Sequence, residues 1–306
     1  TLTNFNTAVN GALNGGTEIL NAGLGVSGTT IENGEIYLRG SKGSDGTVSL
    51  ATAYNTTVGL YGVLVVSNYA SASGITINSQ GLQLIDSGGT SDQTTINSSG
   101  YQEVLSGAVL GSSTDSNGVT TLNVDFAGGM QIIAGGTVGY AVLDDGVQTV
   151  YGGVGNGSTI IGKAEHTTIN GGQQIISGYG LGQADVLSKG TQTVSSGGSG
   201  SITAMSGGRQ NIFANGSGSI TNLISGTQNV FNAGQGSIGT MNGGAAGGMM
   251  IGGMQDVYAG GTGKIDTISG GLQRLNGKGV VSAGTILTQG VQNVSSGGTG
   301  QVDNLN

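Results

Sequence analysis

The chain of 306 residues has no proline, no cysteine and no tryptophan, and only 8% of its residues are charged. Each absence removes a class of protein. Without cysteine there is no disulfide framework and no thiolate zinc site. The one histidine, His166 in Lys163-Ala164-Glu165-His166, supplies no metal-binding pair, and no G-x-S-x-G elbow marks a serine nucleophile for it. Without proline, and with glycines that do not recur every third residue, the 66 glycines exclude collagen. Asp and Glu number 16 against 8 Lys and Arg, a net charge of −8. That balance argues against nucleic acid and anionic membrane surfaces, which are bound through Lys and Arg. There is no charged-then-apolar signal segment at Thr1 and no apolar run long enough to insert in a membrane. No cofactor is expected.

What is present is a repeat. The stretch Gly226-Thr227-Gln228-Asn229-Val230 reads G-x-Q-x-V, and its glutamine slot recurs at 18, 36, 64, 83, 102, 131, 148, 174, 192, 210, 228, 255, 273 and 292. Glu18, Ile36 and Leu64 fill the first three slots. Gln83, Gln102, Gln131, Gln148, Gln174, Gln192, Gln210, Gln228, Gln255, Gln273 and Gln292 fill the rest. Two residues after every slot stands Ile, Val or Leu. A fixed period of this kind is the signature of a solenoid, which grows along one axis without dividing into globules. Disorder is disfavoured, because a disordered chain would not hold aliphatic residues at fixed slots.

The gaps between slots are 18, 28, 19, 19, 29, 17, 26, 18, 18, 18, 27, 18 and 19. The base period is 18–19. Alternation puts the Gln and the aliphatic residue of Q-x-[VIL] on one side of a strand. A second apolar pair follows with a spacing of three, as in Ile202 with Met205 or Ile220 with Leu223. That spacing predicts a bend or bulge between two short strand pieces. Glycine at this density disfavours helix. A circuit of two or three short strands, stacked about 4.8 Å apart, predicts an all-β, right-handed parallel β-helix. The expected layout is one domain over 1–306, with an irregular cap over about 1–13. The four long gaps place longer coils at about 39–55, 105–119, 151–166 and 232–252, each an extra half-coil or a loop leaving the rod. The chain stops at Val302-Asp303-Asn304-Leu305-Asn306, inside a repeat, which predicts that more follows.

Stacking assigns roles to slots. Buried glutamines one per coil form a structural ladder of side-chain amides. The residues after them, Thr193, Asn211, Asn229, Asp256, Arg274 and Asn293, form an outward polar stripe, a candidate self-association face. Two residues further on, Phe213, Phe231 and Tyr258 form a candidate aromatic row able to read a glycan. Calcium β-rolls need a recurring Asp that Gly260-Gly261-Thr262-Gly263-Lys264 lacks, and Asp144-Asp145 is an isolated acidic pair read as a solvated turn.

The combined pattern G-G-x-Q-x-V…T-x-I-x-x-G-G, seen in Thr167-Thr168-Ile169-Asn170 and Gly171-Gly172-Gln173-Gln174-Ile175-Ile176-Ser177, resembles the passenger domains of self-associating autotransporter adhesins of Gram-negative bacteria, of the AIDA and antigen 43 type. The likeness covers about residues 14–306. It implies a right-handed β-helix displayed outside the cell, aggregation and biofilm growth by like-to-like contact, and in some members glycosylation of Ser or Thr by a glycosyltransferase. The expected function is thus a non-enzymatic surface adhesin whose partner is itself. One alternative is an adhesin for a host or matrix carbohydrate without self-association. Another is a β-helix polysaccharide-degrading enzyme, which needs clustered carboxylates. The 16 carboxylates here are scattered over many coils.

Overall fold

The computed structural model describes residues 2–3, 8–9, 11–110, 113–114, 120–121, 124–155, 158–246, 249–286, 290–295 and 297–305. These residues contain strands and turns and no helix. They form a parallel β-solenoid in two compact units, Thr1–Glu165 and His166–Asn306.

In each unit, strands one coil apart pair in parallel. The first stack carries the glutamine slots. In the N-terminal unit Glu18 pairs with Ile36, Ile36 with Leu64, Leu64 with Gln83, and so on through Gln102, Gln131 and Gln148. In the C-terminal unit the same register runs from Gln174 through Gln192, Gln210, Gln228, Gln255 and Gln273 to Gln292. A second stack runs through Val26, Ala53, Ala72 and Ser91 in the first unit and through Ile202, Ile220, Ile238 and Ile265 in the second. A third runs through Ile31, Val58, Ile77 and Ile96, and through Met205, Leu223, Met241 and Ile268. Period-2 alternation turns these side chains inward, and they are the core: Ile36, Val58, Ile77, Ile220 and Leu223 are at most 1% exposed. Each such side chain contributes about 1.5–3 kcal/mol on burial.

The Ile202–Met205 spacing resolves as a bend. Both side chains are buried, the ladder keeps one register from Ile202↔Ile220 through Ala204↔Asn222 to Met205↔Leu223 without a pair at Thr203, and the register shifts fall just beyond, on either side of Ser206. The strand is nevertheless continuous, Ser199–Ile212, where two short pieces were expected. A glycine-rich corner can turn while keeping its ladder bonds. At the described residues of the expected cap, Leu2 pairs with Glu18 and Ala8 with Val26, so coil-like pairing is already in place there.

All four long gaps resolve to one device. Each contains an antiparallel hairpin: Ser41–Lys42 with Val48–Ser49, Ser113–Thr114 with Thr120–Thr121, Gly153–Gly155 with Ser158–Ile160, and Gly243–Ala246 with Met249–Gly252. The first and third interrupt the corner between the first and second stacks. The second lies between second and third stacks, and the fourth between third and first. The residues 115–119 of the second long gap lie outside the described residues. An inserted hairpin satisfies its own backbone, so the coil closes around its base without an added half-turn.

Candidate functional site

The glutamines are fully buried, at 0% exposure from Gln83 to Gln273. Within each unit, every glutamine after the first donates Nε2–H back to the Oε1 of the glutamine one coil earlier, while Gln83 donates to Ser91 and Gln174 to the Thr167 hydroxyl. In the N-terminal unit Gln102 donates to Gln83 at 2.7 Å, Gln131 to Gln102, and Gln148 to Gln131 at 2.8 Å. In the C-terminal unit the bonds run from Gln192 to Gln174, 210 to 192, 228 to 210, 255 to 228, 273 to 255 and 292 to 273, all at 2.6–2.7 Å. All point the same way. Ile36 and Leu64 fill their slots with carbon, also at 0% exposure.

A second contact distinguishes the two units. In the C-terminal unit the Nε2 of Gln210, Gln228 and Gln273 also reaches the carbonyls of Ser219, Ser237 and Ser282, at 3.4, 3.2 and 3.3 Å. Glycine stands beside two of these contacts, at Gly218 and Gly236, whereas Val281 occupies the slot beside the Gln273–Ser282 contact. A Cβ on Gly218 would lie 2.4 Å from Ile212 Cδ1 and 3.0 Å from Gln210 Oε1, and one on Gly236 would meet Val230 and Gln228 in the same way. In the N-terminal unit the equivalent slots hold Ala72, Ser91, Leu110 and Val138. There Gln83 donates instead to the Ser91 hydroxyl at 3.0 Å, which lies 3.1 Å from the Thr94 hydroxyl.

The six residues of the polar stripe stand in unbroken register, Thr193↔Asn211↔Asn229↔Asp256↔Arg274↔Asn293. Asn229 donates to Asn211 at 2.8 Å. Asp256 departs from the outward, solvated position expected of it: it is only 4% exposed. The cause is Arg274, whose Nε and one terminal nitrogen each contact a carboxylate oxygen of Asp256 at 2.7 Å. A bidentate fork of this kind covers the carboxylate, and the bond holds the Arg274 guanidinium above its ordinary pKa. The exposed polar groups of the stripe are therefore Thr193, the two Asn amides, the outer side of Arg274, and Asn293.

The aromatic row is a stack. Phe213 and Phe231 lie 4.7 Å apart at 5°, and Phe231 and Tyr258 4.8 Å apart at 8°. Parallel pairing at strand spacing imposes the face-to-face geometry. The inner ring faces are consumed by one another, leaving edges and the two end faces; Phe213 is 39% exposed.

Other titratable groups do not converge. His166 Nδ1 lies 3.2 Å from Asp185 in an exposed pair, Lys163 pairs with Glu165, and Lys264 lies 2.9 Å from Asp266. Asp144 and Asp145 are exposed. Asp92 is different: its Oδ1 is buried without a hydrogen-bond partner, and desolvation raises its pKa above the ordinary carboxylate value. Among the described residues no group of three or more His, Asp or Glu side chains is placed to hold a metal ion.

One surface escaped the reading of the repeat. In the N-terminal unit the outward positions flanking the slots are apolar: Val63, Leu82, Tyr101, Met130 and Val147 before them, and Val65, Leu84 and Ile132 after. Its signal was present in alternation such as Leu82-Gln83-Leu84, where apolar residues stand on both faces of one strand.

No family model matches the chain, and no curated protein matches it. Its fold matches a solved structure, that of a TibC-catalyzed hyper-glycosylated TibA55-350 fragment. The TM-score is 0.57 at 25% identity, over 98% of this chain and 100% of that one. The likeness spans both units of the solenoid.

Proposed function

We propose that this chain is the passenger of an autotransporter adhesin of the AIDA and antigen 43 type, displayed on the surface of a Gram-negative bacterium, and that its two units work as one domain. It acts without catalysis, by like-to-like contact between solenoids that leads to cell aggregation and biofilm growth. The observation that carries this reading is the polar stripe. Six side chains repeat at strand spacing, so a second solenoid lying alongside, antiparallel, meets the same spacing and adds weak hydrogen bonds rung by rung. Affinity then grows by multivalency rather than from one strong contact. The Asp256–Arg274 fork fixes the guanidinium and leaves its outer side for a partner's Asn or Thr.

The likeness to the TibA fragment supports a second element. That fragment was hyper-glycosylated through TibC, and this chain repeats outward hydroxyls along its coils; Ser199 and Ser217 are exposed and in register. We infer that a glycosyltransferase modifies such hydroxyls. The stacked geometry of Phe213, Phe231 and Tyr258 disfavours the glycan-reading alternative, because a sugar packs on a ring face and the inner faces are taken.

Sedimentation velocity of the purified chain over a wide concentration range tests the main reading. Reversible, concentration-dependent dimers are expected, and Asn211→Asp with Asn229→Asp should weaken them about tenfold by placing like charges at the contact. A monomer at every concentration would remove self-association as a property of this segment.

A further inference from the structure

The outward face of the first stack in the N-terminal unit has the character of a binding surface. Over five successive coils the strands Val63–Ser67, Leu82–Ile85, Tyr101–Leu105, Met130–Ala134 and Val147–Tyr151 lie in register. Val63, Leu82, Tyr101, Met130 and Val147 form one outward column, and Met130 is 42% exposed. Leu84 and Ile132, with Val65 buried at the end of the row, form most of the adjacent one. Five strands at about 4.8 Å make a strip roughly 20 Å long and two side-chain columns wide, a contiguous, partly exposed apolar surface of the kind that marks an interaction site.

Two features specify what fits there. The first is charge. Glu103 stands in the middle of the second column, between Leu84 and Ile132, half-buried and with no ion-pair partner among the described residues. It is the only charged side chain in the two columns, and Asp86, exposed two positions beyond Leu84, adds a second negative charge at their rim. The unit around it is acidic: residues 1–165 carry twelve of the sixteen carboxylates and three of the eight Lys and Arg. A second copy docked by the same face would bring like charges together near the centre. A partner presenting a cation amid apolar side chains neutralises Glu103 while covering the columns. The second feature is an anchor cleft at the rim. Ala134 and Tyr151, in register two residues beyond Ile132 and Thr149, line an open apolar cleft of about 200 Å³ closed by Val154 and Ile160 of the third hairpin. It is large enough to receive one apolar side chain.

The same positions in the C-terminal unit are an internal contrast. Thr191 and Thr193, Arg209 and Asn211, and Thr227 and Asn229 replace both columns in three of its coils; Met254, Leu272 and Val291 restore the first column beyond them, but the second stays polar or charged with Asp256, Arg274 and Asn293, and residues 166–306 carry five Lys and Arg against four carboxylates. A face with both columns largely apolar is therefore a property of one unit and not of the repeat.

We propose that this face docks a cationic, apolar polypeptide segment of another protein, with apolar side chains on the two columns and in the cleft and a Lys or Arg on Glu103. This goes beyond like-to-like contact and uses none of the residues of the polar stripe.

The test is fluorescence anisotropy with the intact chain and three labelled decapeptides: alternating Leu-Lys, alternating Leu-Glu and alternating Ser-Lys. The Leu-Lys peptide is expected to bind at least tenfold more tightly than either control. Leu82→Asn with Met130→Asn should reduce that binding at least tenfold, and Glu103→Lys should invert the preference toward Leu-Glu. Both variants alter outward side chains, and unchanged far-UV circular dichroism and thermal midpoint establish that they fold. Equal binding of Leu-Lys to the wild type and both variants would reduce the effect to general acidity and overturn the proposal. So would wild-type dimers that dissociate on Leu82→Asn with Met130→Asn, since a second copy would then be the occupant.

Discussion

The two units solve one problem in two ways. Both must bury a row of amides in an apolar core, and both join them head to tail along the stack. In the C-terminal unit backbone carbonyls of the opposing strand take remaining amide hydrogens, with glycine packed against the row at 200, 218, 236 and 263 and valine at 281. In the N-terminal unit the opposing strand carries side chains, and the first coils abandon the amide for Ile36 and Leu64. The difference teaches that the amide is not required to build a coil. Where a neighbouring coil has one, its hydrogens need a partner, an amide in the next coil or, at the Leu64–Gln83 junction, the Ser91 hydroxyl, because an unpaired amide in a dry core costs more than the pair is worth.

The comparison can be broken in descending order of effect. Gln228→Leu has the largest. It mimics Leu64 in shape yet orphans the amide hydrogen of Gln255 and the carbonyl of Gln210, a cost of about 2–4 kcal/mol. A urea transition followed by circular dichroism should show a clearly lowered midpoint; an unchanged one would mean that the ladder contributes nothing. Next comes the glycine slot. Gly218→Ala drives a methyl into Ile212 and Gln210 and is expected to cost about 1–3 kcal/mol. Ala72→Gly, at an equivalent position in the first unit, should cost about 1 kcal/mol or less, from chain entropy and a lost methyl. Similar losses from the two would show that the close approach is not what selects glycine. The smallest effect is at Asp92. Its pKa is raised on folding, so the folded chain holds its proton to higher pH than the unfolded chain, and stability falls as pH rises from the ordinary carboxylate pKa through the raised one. Asp92→Asn should therefore raise the thermal midpoint slightly at pH 7 and leave it unchanged at pH 3. A lowered midpoint at pH 7 would point to a partner for the carboxylate.

Much of the first stack was legible because a buried slot tolerates few residues. Gln, Ile or Leu at a period of 18–19, followed two residues on by an aliphatic side chain, left little freedom in register. The long gaps were harder. Gly153-Val154-Gly155 and its partner Ser158-Thr159-Ile160 are too short and too glycine-rich to show period-2 alternation, so a hairpin and an extra half-coil look alike. Asp256 was misplaced for another reason. Alternation assigns a side chain to a face, but its exposure depended on Arg274, eighteen residues away and one coil up. The apolar face of the first unit was hidden by the strength of the inward pattern: a slot rule built on Gln83 and Ile85 assigns nothing to Leu82 and Leu84.

The shared direction of the amide bonds bears on how such a chain can change over time. Inside each row a glutamine gives to the coil before it and receives from the coil after it, so each interior coil presents the same two surfaces. Duplicating or deleting a whole coil within the row leaves every amide with a donor and an acceptor, whereas altering one glutamine breaks bonds on both sides. The array is thus permissive to changes in copy number and resistant to point substitution, and its length can drift while its interior stays the same.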